Sequence, residues 1–211
     1  MGKIFTISLI LSFLFYAKCE AQRFSGGLRA GFVASEVSGD NLGGPNKLGW
    51  HASAFTFTPV AENISLQLEI MYITKGSRSV PSERNNFFEY TFHLEYVEVP
   101  VLMLMDVSHF SQTPVLENLI LHAGLSGSVL VSYREEEDGA PIPPPGGQEF
   151  HPAELNIILG FAYPLAEKLN FQLSFSNSLT PIRPHASGET IWYNWGQYNT
   201  LWTFSIAYIF W

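Results

Sequence analysis

The residues of this chain that could do chemistry are few and widely spread. His122 and Ser126 stand four apart in "LHAGLSG", residue types with which a histidine activates a hydroxyl for acyl transfer, but no acid is placed to orient the imidazole. His51, His93, His109, His122, His151 and His185 show none of the paired spacings that hold a metal, so neither metal nor cofactor is expected. The run "REEEDG" (Arg134–Gly139) reads as a solvated loop before it reads as a cation site. Otherwise charge in the patterned stretches comes down to Arg29, Glu69, Glu95 and Glu98. If Arg29, Glu69 and Glu98 point to the same side as His122, they form a polar network in which pairing is required, because charge away from water is costly when unpaired. Such a network serves either as a proton or ion path or as packing; packing is the preferred reading.

Strands must position these residues. A period of two recurs in segments of about ten residues, and no stretch holds a period of 3.6. In "LILHAGLSGSVLVSY" Leu119, Leu121, Ala123, Leu125, Val129, Val131 and Tyr133 oppose His122, Gly124, Ser126, Ser128 and Ser132. "ELNIILGFAY", "NFQLSFSN" and the closing "TLWTFSIAYIFW" alternate in the same way. Earlier segments are Phe24–Phe32, Leu48–Phe57, Leu66–Thr74 and Phe92–Met105. The last of these changes parity near Tyr96–Glu98, which predicts a bulge beside Pro100. Eight strands result. The connections 34–47, 75–91, 134–152 and 179–197 are long, whereas 58–65 and 164–170 are tight and 106–118 is intermediate.

Composition decides what surrounds the strands. Charged residues make up 14% and aromatics 15% of the 211 residues, and the net charge is −8. That balance disfavours nucleic acid as a partner, which needs clustered Lys and Arg. The opening "MGKIFTISLILSFLFYAKCEAQ" has a positive start, an apolar run too short to span a membrane and small residues at a cleavage position, so residues 1–21 read as an export signal and residues 22–211 as the mature domain. Cys19, the one cysteine, lies inside that segment, and no disulfide is expected. One face of the strands carries Ser, Gly, Asn, Gln and Ala, small enough to fill a narrow lumen; the other is apolar and aromatic. A soluble barrel needs long charged side chains outside, so the apolar face is assigned to lipid. The fold class is therefore an all-β, eight-stranded antiparallel up-and-down transmembrane β-barrel, closed because a sheet in hydrocarbon tolerates no open edge.

The segments "GLRAGFVAS", "ISLQLEIMYITKGSR", "LEYVEVPVLM", "LHAGLSGSVLVS" and "LGFAYPL" together resemble the PorT-like family of small outer-membrane β-barrels of Gram-negative bacteria. The resemblance covers most of the mature chain, and Leu94-x-Tyr96-x-Glu98-x-Pro100 is its most specific part. The proline-dense "GAPIPPPGG" and the final Trp211 depart from it. It implies Sec-type export to the outer membrane. It also implies that the aromatic end, Tyr208, Phe210 and Trp211, is similar to the signal read by the outer-membrane assembly machinery.

The expected function is a structural or surface-interaction role without an open diffusion pore. Outer-membrane lipid and the assembly machinery are the expected partners, and the loop residues Trp192, Tyr193 and Trp195 are candidates for a surface contact or an interfacial girdle. An accessory component of a protein secretion or gliding apparatus is the alternative, which the family allows. A lipid-modifying enzyme is not expected, since His122 and Ser126 share the inward parity and a lipid substrate would meet the other face.

Overall fold

The computed structural model describes residues 24–40, 42, 44–108, 117–144, 147, 149–185 and 196–210. The expected export signal, Trp192, Tyr193, Trp195 and Trp211 lie outside the described residues.

The alternating segments form strands β1 (Ser25–Ser38), β2 (Lys47–Ala61), β3 (Ile64–Arg78), β4 (Tyr90–Asp106), β5 (Ile120–Glu137), β7 (Ala153–Ala166), β8 (Leu169–Ser178) and β9 (Tyr198–Ile209). The short strand β6 (Ala140–Ile142) folds back on the end of β5. Each long strand pairs antiparallel with its neighbours, and β1 pairs with β9 from Gly27↔Ile209 to Ser38↔Tyr198, which closes an eight-stranded ring. Closure leaves no unpaired edge, the condition for a sheet in hydrocarbon. Residues 62–63 and 167–168 make tight turns at the end where the described chain starts and stops, an end shared by the longer 107–119 connection; the other four connections lie at the opposite, loop end.

Period-two patterning fixes the faces. In β9 the outward Trp202, Phe204, Ile206 and Tyr208 alternate with the buried Thr203, Ser205 and Ala207. Around the ring, Leu28, Phe32, Leu68, Ile70, Val101, Met103, Leu125 and Leu159 stand exposed in an apolar band of the kind that faces lipid.

Three expectations are corrected. First, several strands run further than the alternating segments suggested: β1 reaches Ser38, β3 reaches Arg78 and β5 reaches Glu137, so parts of 34–47, 75–91 and 134–152 are strand, not loop. Second, β4 carries no bulge. Phe92, Leu94, Tyr96, Glu98, Pro100 and Leu102 all point inward in unbroken alternation. The irregularity sits across from it, where Tyr96 pairs with Leu130 and Glu95 with Ser132, leaving Val131 as the extra residue on β5. Third, that bulge turns Ser132 outward, against its assignment to the lumen.

Candidate functional site

An eight-stranded barrel leaves an interior that side chains just fill, and here it is filled in layers. Nearest the turn end, β5 presents His122 directly across from Gly160 of β7. A Cβ at that glycine would lie 2.5 Å from the imidazole, so Gly160 makes the room that His122 occupies. His122 Nε2 meets Ser174 Oγ at 2.9 Å and Gln172 Nε2 at 3.1 Å. Ser126 bonds elsewhere, donating to Glu98. The described His122 Nδ1 has no partner, so this His–Ser contact lacks the orienting acid of a hydrolytic triad.

The next layer holds Arg29 from β1 and Glu69 from β3, paired at 2.7 Å. Gln67 Nε2 donates to the same carboxylate at 3.0 Å, and the guanidinium lies over the Phe55 ring at 5.0 Å. Beside this pair is a cavity of about 30 Å³ whose lining includes Arg29, His51, Glu69, Glu98, Gln172 and Ser205. Below it, a chamber of about 210 Å³ is walled by Phe55, Phe57, Leu104, Ala207 and Ile209 and rimmed by Glu62, Asn63 and Asp106 at the turn end.

Above lies the strongest concentration of charge. Lys75 Nζ reaches Glu98 Oε2 at 2.7 Å and Glu154 Oε1 at 2.6 Å, with all three side chains almost wholly buried. Ser126 and Ser128 donate to Glu98 at 2.6 and 3.0 Å, and Asn199 Nδ2 donates to Glu154 at 2.7 Å. Four strands, β3, β4, β5 and β7, converge here with β9, so the cluster ties opposite walls of the barrel together. Every carboxylate oxygen in it accepts at least one bond, the condition for holding charge out of water.

The loop-end layer is apolar. Val33, Ile73, Phe92, Leu94, Tyr96 and Leu201 meet in the lumen with Phe150 and Ile182, which come from the connections before β7 and after β8. Arg183 caps it, stacked 4.4 Å from the Phe150 ring centre and paired with Glu135 at 2.6 Å; the Tyr90 hydroxyl donates to the same carboxylate. Two long connections thus reach into the barrel mouth and close it.

All four residues expected of a polar network, Arg29, Glu69, Glu98 and His122, face the lumen, but in separate groups. Arg29 pairs with Glu69, Glu98 belongs with Lys75, and His122 bonds Ser174 and Gln172. Sequence reasoning missed Lys75, Glu154, Glu135 and Arg183. The signal for Glu154 was present, since it shares the parity of Asn156 in "ELNIILGFAY". Of the aromatic end, Tyr208 faces outward in β9 and the Phe210 amide donates to the Gly26 carbonyl at 2.9 Å, completing closure. Among the described residues no group of three or more His, Cys, Asp and Glu side chains could hold a metal.

A closed ring with an apolar outer band and a filled polar lumen defines a membrane-spanning β-barrel. Residues 20–183 match the model of the outer membrane protein beta-barrel domain, and the chain belongs to that family. No curated protein matches it. Among solved structures it is similar to Neisserial surface protein A (12% identity, TM-score 0.49, covering 90% of this chain and 100% of that one). The attachment invasion locus protein Ail of Yersinia pestis is similar at 11% identity and TM-score 0.46, covering 88% and 98%. OprG of Pseudomonas aeruginosa follows at 10% and 0.42, covering 90% and 97%. Nothing about activity is carried over from likenesses this distant.

Proposed function

We propose that the protein is a non-conducting, non-enzymatic barrel of the Gram-negative outer membrane that lends structural integrity to the envelope and presents its loop end for surface contact. Export by an N-terminal signal and insertion by the outer-membrane assembly machinery go with this reading, as does lipid along the apolar band. The run Leu94-x-Tyr96-x-Glu98-x-Pro100 has a physical role in this reading. Leu94, Tyr96, Glu98 and Pro100 form one inward column that joins the apolar layer to the Lys75 cluster.

The observation that carries the proposal is the filled cross-section. At the level of Lys75, Glu98 and Glu154, side chains from opposite walls are in hydrogen-bond contact, and the layer above is packed and apolar. Hydrated ions have no continuous path through such a section. The test is reconstitution of the purified, folded protein into planar bilayers and solute-loaded vesicles. Silent bilayers and retained solute are expected. Reproducible conductance steps, or efflux of small solutes, would overturn the reading.

A further inference from the structure

The charges inside the barrel do not balance. Below the Arg183–Glu135 cap, the ion-paired lumenal side chains are two cations, Arg29 and Lys75, against three carboxylates, Glu69, Glu98 and Glu154. Arg29 and Glu69 neutralise one another, so the surplus negative charge sits on the cluster where one ammonium serves two carboxylates. A buried surplus charge is ordinarily removed by taking up a proton.

Unpartnered polar atoms point to the same place. The Oδ1 atoms of Asn156 and Asn199 and the hydroxyl of Tyr96 are buried around the cluster with no hydrogen-bond partner. As placed, Asn199 turns its Nδ2 to Glu154 Oε2. Amide orientation is decided by the bonding network; with that amide turned over, Oδ1 accepts a proton carried on Glu154 Oε2. A route exists as well. Glu98 lines the cavity of about 30 Å³ together with Arg29, His51 and Glu69. Both ring nitrogens of the buried His51, Nε of Arg29 and Oε1 of Glu69 lack partners. A cavity of that size, with these polar groups among its walls, has room and partners for one water. Gln172 lines both this cavity and the chamber at the turn end.

We propose that the Lys75–Glu98–Glu154 cluster is a proton-binding site, in which one proton sits on Glu154, where the turned Asn199 amide accepts it, and exchanges with the turn-end solvent by way of Glu98 and the cavity it lines. The titratable and charged groups facing it are Arg29 of β1, His51 of β2, Glu69 and Lys75 of β3, Tyr96 and Glu98 of β4 and Glu154 of β7. From β5 and β9 it meets the neutral Ser126, Ser128 and Asn199, and Ser176 of β8 lines the cavity beside it. Loop-end solvent is shut out by the apolar layer, so exchange is one-sided.

Infrared difference spectroscopy of the folded protein in lipid tests this. At neutral pH the parent shows the carbonyl stretch of one neutral carboxylic acid, sensitive to deuterium. Glu154→Gln and Glu98→Gln each remove or shift it, whereas Glu69→Gln leaves it in place. Both cluster variants replace a carboxyl group by an amide of the same shape and remain folded by the gel-mobility difference between folded and heated protein. Absence of the band in the folded parent overturns the proposal. So does a band unchanged in both cluster variants, or a proton found by NMR on His51 instead.

Discussion

Replacing Lys75 by methionine isolates what the central cluster contributes. Methionine keeps much of the length and volume but leaves Glu98 and Glu154 without the ammonium that now lies 2.7 and 2.6 Å from them. Removing one partner of a buried pair costs about 3–5 kcal/mol. Because this cation serves two carboxylates, a value in the upper half of that range is expected, about three orders of magnitude in the folding equilibrium at 1.4 kcal/mol per tenfold. The triple variant Lys75→Met, Glu98→Gln, Glu154→Gln removes all the charge. Glutamine at 98 keeps one acceptor for Ser126 or Ser128 and donates its NH2 to the other hydroxyl, and glutamine at 154 keeps one acceptor for Asn199. Since a neutral replacement of a buried ion pair is often neutral or stabilising, the triple variant recovers most of the loss. The assay is urea unfolding in lipid vesicles, read by tryptophan fluorescence and by folded-against-unfolded gel mobility. A single variant within about 0.5 kcal/mol of the parent, the range of an inconsequential substitution, refutes the reasoning. A triple variant as unstable as the single one refutes it too, since packing and not charge would then be responsible.

Cysteine at Ala207, in the turn-end chamber, is expected to react with a small water-soluble thiol reagent, and cysteine at Leu94, in the apolar layer, is not; equal labelling would contradict a one-ended lumen. Gly76→Ala should destabilise the barrel by about 1–3 kcal/mol or more in the same urea assay, because Gly76 has φ +138 and an added Cβ would lie 2.0 Å from the Phe92 carbonyl. Asp40, in the connection after β1, has its pKa raised by burial, opposed in part by the Leu42 amide it accepts from. The folded state then holds that proton more tightly than the unfolded state, so wild-type stability falls as pH rises from the ordinary aspartate range through the raised value. Asp40→Asn should accordingly raise the urea midpoint at neutral pH and leave it unchanged in acid. Deleting Phe210 and Trp211 removes the closing bond from the Phe210 amide to Gly26 and should block membrane assembly while export proceeds, measured by fractionation.

Strand number, closure and the outward apolar set were legible because lipid on one side and a narrow polar lumen on the other impose a strict period of two. β9 and the first half of β5 read cleanly for that reason. The ion cluster was only half legible. Glu98 reads as inward despite the misread parity around it, but Lys75 is followed by "GSR", whose small and charged residues imitate a loop although they continue β3. Arg183 and Glu135 were out of reach of periodicity, since their pairing depends on a connection folding back into the barrel mouth. Which carboxylate meets which cation is a matter of height along the barrel, set by the stagger between strands, and alternation within one strand carries no information about it.

The misread parity at Tyr96–Glu98 marks something physical. On the turn side of Glu98, β4 turns Val99, Val101 and Met103 outward; on the loop side it turns Glu95, His93 and Thr91 away from the apolar Tyr96, Leu94 and Phe92. The same exchange occurs in β5, where outward Leu125 and Val129 give way to Ser132, Arg134 and Glu136. In β1 outward Leu28 and Phe32 give way to Glu36. Strands of 17 and 18 residues outrun the roughly 9–11 that a tilted strand needs to cross hydrocarbon. Beyond that length the outside is wet, and the economical arrangement reverses to the apolar interior of a soluble barrel. In β4 side-chain direction never changes; its solvent does. The Lys75 cluster lies at that crossover, and the apolar layer above it keeps loop-end water from the buried charges while water reaches the polar layer only from the turn end.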